Sequence, residues 1–300
     1  VIPMLPTPFN SDKDIVWEDL TKLIENQISM GAHGISALGL GGEASFLTND
    51  ERRVVTEYIV KEVAGRLPVI VGVGAATTED SCNLADHAAS NGVTAIMLAP
   101  RPIRTQTQDD LFEYFTEVSK AASGIEVMLQ DAPEYLGIDL NTELIKRLSD
   151  EIKNIAYIKS EKTPVSNTIY DLKQIFSQRN IGLFGGQAAV GFFELLESGG
   201  TGTIPGCEAT SILVRIWDDY VIKKNNNKAK EIFEKVLPFF VFEMQSLEMF
   251  IKCTKTVLFR KGLISSNETR NDFKLSPIAQ SILDRHILRI TEIEKHLKRR

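Results

Sequence analysis

The stretch PVIVGVGAATTEDSCNLADHAASNGVTAIMLA, Pro68–Ala99, decides the fold. It opens on the apolar run Pro68–Val73 and closes on another, Ala95–Ala99. Short runs rich in Val and Ile, with no alternation of polar residues, are strands buried on both faces, as in a parallel sheet. Between the two, Thr77-Thr78-Glu79-Asp80 opens a segment of helical character and Asn91-Gly92 closes it. Thr and acidic residues satisfy the free N–H groups of a first helical turn, and Gly takes the left-handed conformation that ends a helix.

Working outward, the same alternation covers the first 220 or so residues. The other apolar runs are Val1–Leu5, Gly34–Leu38, Glu126–Leu129, Ile155–Lys159, Ile181–Phe184 and Gly202–Ile204, which makes eight. The first intervening segment sets Leu20, Leu23, Ile24 and Ile28 on one helical face. The others open on Thr48-Asn49-Asp50-Glu51, a capping box before Val54, Val55 and Ile59, and on Thr107-Gln108-Asp109-Asp110. Gly31 and Gly199-Gly200 are further helix stops. Eight such units predict an α/β fold closed as a (β/α)8 TIM barrel. An open doubly wound sheet is the alternative, weakened because no GxGxxG follows the first run; Gly72-Val73-Gly74-Ala75 is only a fragment of that motif. From about Asn225 the strands stop, and Ala229–Phe242, Glu248–Lys261 and Pro277–Lys298 read helical, the last with Ser276 as N-cap and Pro277 at the first position. The expectation is a barrel catalytic domain over 1–224 and a helical appendage over 225–300, which covers a barrel face or builds an oligomer contact.

Composition bounds the function. The 300 residues carry 34 basic and 40 acidic side chains, a net charge of −6, with 43% hydrophobic and 25% charged residues. These values fit a globular chain and exclude disordered and low-complexity classes. The acidic balance argues against nucleic acid or an anionic membrane as partner, and no apolar run is long enough to span one. The basic tail Lys295–Arg300 reads as a solvated helix end. Cys82, Cys207 and Cys253 are odd in number and far apart, without metal-site spacing, and the start Val1-Ile2-Pro3-Met4-Leu5-Pro6 has no charged region leading an apolar one. The expected location is the reducing cytoplasm.

In a barrel, chemistry sits where strands end at the C-terminal face. Lys159 closes the run Ile155–Ile158, so its stem leaves a strand buried on both faces. Burial lowers a lysine's pKa and frees an amine that can attack a ketone; the alternative is an ammonium paired with Glu161. The loop Gly39-Leu40-Gly41-Gly42-Glu43-Ala44-Ser45 offers unobstructed N–H groups that can bind a carboxylate, or it is only a tight turn. Within it Glu43 is either catalytic or accepts backbone hydrogen bonds that orient the loop. Gln130 and Asp131 form a polar pair at one strand end, able to orient a substrate hydroxyl or merely to tie the next loop; Arg101 and Arg104 meet an anionic substrate or face water. Gly185-Gly186-Gln187 follows the seventh run, and Ile204 closes the eighth ahead of Pro205-Gly206. Histidine spacing supports neither a Ser-His-Asp triad nor a metal site.

Taken in order, Pro6-Thr7-Pro8-Phe9, Gly39–Glu43, Leu47-Thr48-Asn49-Asp50-Glu51-Arg52, Gly72–Ala75, Pro133, Ile158-Lys159 and Lys255–Ser276 resemble the dihydrodipicolinate synthase/N-acetylneuraminate lyase family over nearly the whole chain. That resemblance implies a barrel with extra C-terminal helices, a homotetramer or other homo-oligomer, a small 2-keto acid as substrate, a Schiff-base lysine at Lys159, and no cofactor. Several functional positions differ from the synthase. Its Gly-Thr-Thr-Gly-Glu loop is here Gly39-Leu40-Gly41-Gly42-Glu43, its proton-relaying strand-5 Tyr is Gln130, a second Tyr falls near Pro102, and its substrate-binding Arg falls near Tyr135. Gln130–Pro133 and Ala156–Pro164 are instead similar to the sugar-acid dehydratase branch, 2-keto-3-deoxy-arabonate dehydratase in particular. On that resemblance Lys159 attacks the ketone, Gln130 and Glu161 orient substrate and move protons, and Gly41, Gly42, Glu43, Asp131, Gly186 and Ile204 surround the keto acid. Alternatives are aldol cleavage to pyruvate, or a keto-acid-binding protein without catalysis.

Overall fold

The computed structural model describes residues 1–101, 103 and 105–298, so Pro102, Arg104 and the tail residues Arg299 and Arg300 lie outside the described residues. Seven parallel strands follow one another in sequence order: β1 Ile35–Ala37, β2 Val69–Gly72, β3 Ala95–Leu98, β4 Glu126–Asp131, β5 Ile155–Ser160, β6 Gly182–Gly185 and β7 Gly202–Thr203. The first apolar run closes the ring. Met4 bridges in parallel both to Ser36 on β1 and to Gly206 just beyond β7. Its amide donates to the Pro205 carbonyl at 2.7 Å, and Leu5 N–H donates to Ser36 at 2.8 Å. Eight strands were expected; this one is reduced to bridges because Pro3 and Pro6 supply no N–H to a ladder. The architecture is a (β/α)8 barrel with a C-terminal helical extension.

Helices α1 Trp17–Ser29, α2 Asn49–Val63, α3 Thr78–Ser90, α4 Gln108–Ala121, the single turn α5 Pro133–Leu136, α6 Thr142–Glu151, α7 Val165–Ile175, α8 Phe192–Glu197 and α9 Thr210–Trp217 alternate with the strands. Their starts follow the caps in the sequence. Thr48 and Glu51 form a reciprocal capping box, as do Thr107 and Asp110, and the Thr77 hydroxyl accepts from Asp80 N–H. Gly72 ends β2 where a Cβ would lie 2.0 Å from the Leu38 carbonyl oxygen, so only glycine lets these strand ends approach.

Inside the barrel Met4, Ile70, Ala95, Met97, Met128, Phe184 and Ile204 pack together. A larger apolar layer lies between strands and helices. Helices α10 Asn226–Glu243, α11 Leu247–Arg260 and α12 Pro277–Lys298 bury Phe239, Phe240, Val257, Leu258 and Leu283 in that same layer. Among the described residues no helix is long and apolar enough to cross a membrane, and Cys82, Cys207 and Cys253 are all free thiols.

Where α10 meets the barrel, two carboxyls are buried against each other. Both oxygens of Glu243 and one of Glu208 find no donor among the described residues, while Thr254 donates to the other Glu208 oxygen at 3.1 Å. Burial, and for Glu243 the charge of Glu208, raise both pKa values above the ordinary carboxylate range. The native state therefore holds protons that the unfolded chain has released, so stability is greatest below the unfolded pKa and falls as pH rises above it. Glu243→Gln supplies a permanent donor. It is expected to raise stability at pH 8 by about 1–2 kcal/mol, with less effect at pH 5, in urea unfolding at the two pH values; equal destabilisation at both would contradict this.

Candidate active site

β4 and β5 pair in register with Gln130 opposite Lys159. Alternate strand residues face alternate sides, so Met128 and Gln130 point into the barrel with Tyr157 and Lys159. Lys159 is 5% exposed at the C-terminal end of β5. Its Nζ donates to Glu161 Oε2 at 3.0 Å. The same oxygen accepts the Gln130 amide at 2.6 Å, and Glu161 Oε1 accepts the backbone N–H of Gln187 at 3.1 Å. One carboxylate thus gathers a lysine, an amide and a backbone donor from three consecutive strand ends.

Glu161 is held by the loop after β6. Gln187, Ala188 and Ala189 all have positive φ, 52°, 49° and 70°. Three non-glycine residues in that conformation are strained backbone, which concentrates at functional sites. The turn aims Gln187 N–H at the carboxylate, and the Gln187 side chain donates to the Glu161 carbonyl at 2.9 Å. A Cβ on Gly186 would lie 2.2 Å from Glu161 Oε1, so Gly186 leaves room for the carboxylate and does not itself line the cavity.

That cavity, about 30 Å³, is walled by Lys159, Glu161, Gln187 and Tyr135, by Leu40, Gly41, Met4 and Ile204, and on the outside by Met244, Leu247 and Phe250 of the C-terminal helices. It has room for roughly one water molecule. Leu40 separates it from a second cavity of about 370 Å³, which Gln130, Arg52 and Arg101 also line. Arg52 is buried and donates to the Gly72 carbonyl at 3.0 Å; burial lowers its pKa to about 10. Arg101 lies over the Tyr114 ring.

Besides Gly186, three expected site residues lie elsewhere. Gly42 N–H is spent on the Gly39 carbonyl at 3.0 Å, inside a single 3-10 turn. The N–H groups of Leu40 and Gly41 have no partner among the described residues, so the free donors are shifted by one residue. Glu43 is fully buried away from the cavity. It pairs with Lys255 of α11 and accepts Arg270 N–H at 2.8 Å, so it anchors the loop. Asp131 follows Gln130 on β4 and so points outward, where it accepts Leu140 N–H at 3.3 Å; burial pushes its carboxyl up to about 7.

Tyr135, Gln187, Leu40, Met4 and the three residues from α10 to α11 had no assigned role in the sequence. Leu40 and Gln187 lie in strand-end segments that the sequence singles out, and Tyr135 left a local signal of its own: Pro133 and Gly137 bracket a one-turn helix directly after a strand end that already carried Gln130. Among the described residues no cluster of three His, Cys, Asp or Glu side chains is arranged to hold a metal ion.

With this geometry in view, similarity to known proteins is informative. The dihydrodipicolinate synthetase family model matches residues 1–283. A 4-hydroxy-tetrahydrodipicolinate synthase from Marinobacter nauticus is 36% identical over 155 residues, 52% of this chain and 53% of that protein. Here and in two further relatives of that name, the chain spans about half the length of the relative it matches. The synthase of the same name from Pseudomonas syringae pv. syringae is 30% identical over 237 residues, 78% of this chain and 79% of that one. A dihydrodipicolinate synthase structure from Acinetobacter baumannii, complexed with pyruvate, superposes with a TM-score of 0.88 at 25% identity, covering 97% of this chain and 98% of that one. By family match, by sequence identity over most of its length and by barrel architecture, this chain belongs to the dihydrodipicolinate synthetase family.

Proposed function

We propose that the chain is a Schiff-base-forming lyase that dehydrates a 2-keto-3-deoxy sugar acid, converting a deoxypentonate to 2-oxoglutarate semialdehyde. The observation that carries this reading is the buried Lys159 Nζ, 3.0 Å from Glu161, in a cavity walled by the glycine turn. The substrate carboxylate lies on the free N–H groups of Leu40 and Gly41. Lys159 attacks the C2 ketone, and Glu161 relays the proton the amine releases to the ketone oxygen, which leaves as water and returns Glu161 to the carboxylate. The resulting iminium draws electrons from C3, Glu161 takes the C3 proton, and the C4 hydroxyl departs as water; a C5 proton is then lost and one gained at C3, the C4–C5 enol becomes the aldehyde, and water hydrolyses the iminium to free Lys159. Gln130 orients the substrate but, being an amide, cannot act as an acid.

The second reading is that of a class I aldolase which releases or consumes pyruvate. It is favoured by the names of the relatives and by the pyruvate complex of the Acinetobacter protein. Against it stand Leu40, Gly41 and Gln130, which occupy the positions where the synthase that this chain resembles carries two Thr and a Tyr. A panel of 2-keto-3-deoxy acids, assayed for product without reductant and for trapping in parallel with borohydride, separates the two. The expected result is a mass gain at Lys159 and semialdehyde from a deoxypentonate. Pyruvate with a free aldehyde would favour the second reading, and no mass gain would leave a binding protein.

A further inference from the structure

Departure of a C4 hydroxyl needs a proton donor, and until it has taken the C3 proton the Glu161 carboxylate has none to give. The Glu161 carboxylate already faces three N–H donors and is the acceptor of the C3 proton. Gln130 carries only an amide. Among the described residues that line the Lys159 cavity, one side chain has a hydroxyl: Tyr135.

Tyr135 reaches the cavity by a local device. β4 ends at Asp131, Pro133 opens the single turn Pro133–Leu136, and Gly137 closes it with φ 69°. The Tyr135 amide donates to the Ala132 carbonyl at 3.1 Å. Next to it, Glu134 ties the turn to both neighbouring loops, accepting the Thr163 hydroxyl at 2.7 Å and the Gln187 amide at 3.4 Å. The half-buried phenol therefore stands on a braced turn, beside the carboxylate and the amine.

We propose that Tyr135 is the general acid of this site, passing its phenolic proton to the C4 oxygen as the C4–O bond breaks. This rests on the Schiff-base reading above. Glu161 removes the C3 proton, and the electrons of that C–H bond pass into the C2–C3 bond of an enamine. They then form the C3–C4 double bond and expel the C4 oxygen with the Tyr135 proton as water. The proton on Glu161 returns to the phenolate; the unsaturated iminium left on Lys159 loses a C5 proton and gains one at C3, its C4–C5 enol becomes the aldehyde, and water hydrolyses the iminium, so the free amine is restored and one water is lost net. Electrostatics agree with the assigned direction. Burial first, then the charges of Glu161 and Glu134, push the Tyr135 pKa up to about 12, against an opposing contact from Gln187. The phenol thus holds its proton at neutral pH and acts as acid, not base.

Tyr135→Phe in the full chain tests this. Three quantities are measured: borohydride trapping of the keto acid at Lys159, exchange of the C3 hydrogen in deuterated water, and release of semialdehyde. The expected result is trapping and exchange within about twofold of wild type, and semialdehyde release reduced by roughly 10²–10⁴-fold. A substrate with fluoride in place of the C4 hydroxyl leaves without a proton, so the variant should release fluoride at close to the wild-type rate. Undiminished dehydration in Tyr135→Phe, or fluoride release reduced as much as dehydration, overturns the assignment. Wild type that traps but loses no water overturns it while sparing the Schiff base; wild type that does not trap overturns the Schiff-base reading and this one with it.

Discussion

Replacing Lys159 with methionine is expected to remove turnover by a factor on the order of 10⁴ or more, because the covalent step then has no nucleophile. Methionine keeps the length and the apolar stem, so fold and cavity are preserved. Glu161 loses one of its three donors but keeps the Gln130 amide and the Gln187 N–H, and urea unfolding should shift by only about 1–2 kcal/mol in either direction. The check is a rate on the preferred keto acid, paired with mass spectrometry after borohydride. Wild type should gain the mass of the reduced adduct on the peptide holding residue 159, and the variant should gain nothing. Activity retained within tenfold in Lys159→Met would mean that the amine is a binding charge.

The largest effect on stability is expected from Lys255→Met. Lys255 is fully buried, pairs with the equally buried Glu43, donates to the Glu268 carbonyl at 2.8 Å, and stands over the Phe9 ring at 4.2 Å. Arg270 completes the clamp, with its amide on Glu43 and its guanidinium on Glu51. Removing one partner of such a pair strands a charge without water, a cost of about 3–5 kcal/mol. The double variant Lys255→Met with Glu43→Gln removes both charges and should recover more than half of that loss. Denaturant midpoints of the two variants and wild type decide it; equal destabilisation by single and double variants would show that packing, not the stranded carboxylate, sets the cost.

Much of this molecule is legible in the primary structure, and the boundary has a physical cause. Strands such as Val69–Gly72 and Ala95–Leu98 are visible because a sheet covered on both faces demands an unbroken apolar run. Helix starts at Thr48, Thr77 and Thr107 are visible because capping is local. Lys159 stands out because a charged residue ending such a run needs a reason, and Glu161 lies two residues on. The outward turn of Asp131 was also readable: if Gln130 faces the barrel with Lys159, its neighbour cannot. Long-range contact was not readable. No pattern within Gly39–Ser45 reveals that Gly42 closes its own turn or that Glu43 belongs to a lysine 212 positions later. Phe250, Leu247 and Met244 enter the cavity wall from helices whose periodicity reports only that they pack somewhere. The first strand is shorter than its apolar run for a different reason: Pro3 within Val1–Leu5 is apolar but offers the ladder no N–H.

The clamp between the glycine turn and the stretch around Arg270 also has a temporal meaning. Glu43 and Arg270 are 227 positions apart, so during synthesis the barrel's strands leave the ribosome well before their partner for Glu43 does. Until then a newly made chain carries an orphaned acid, and the outer wall of the Lys159 cavity, built by Met244, Leu247 and Phe250, is likewise missing until those residues emerge.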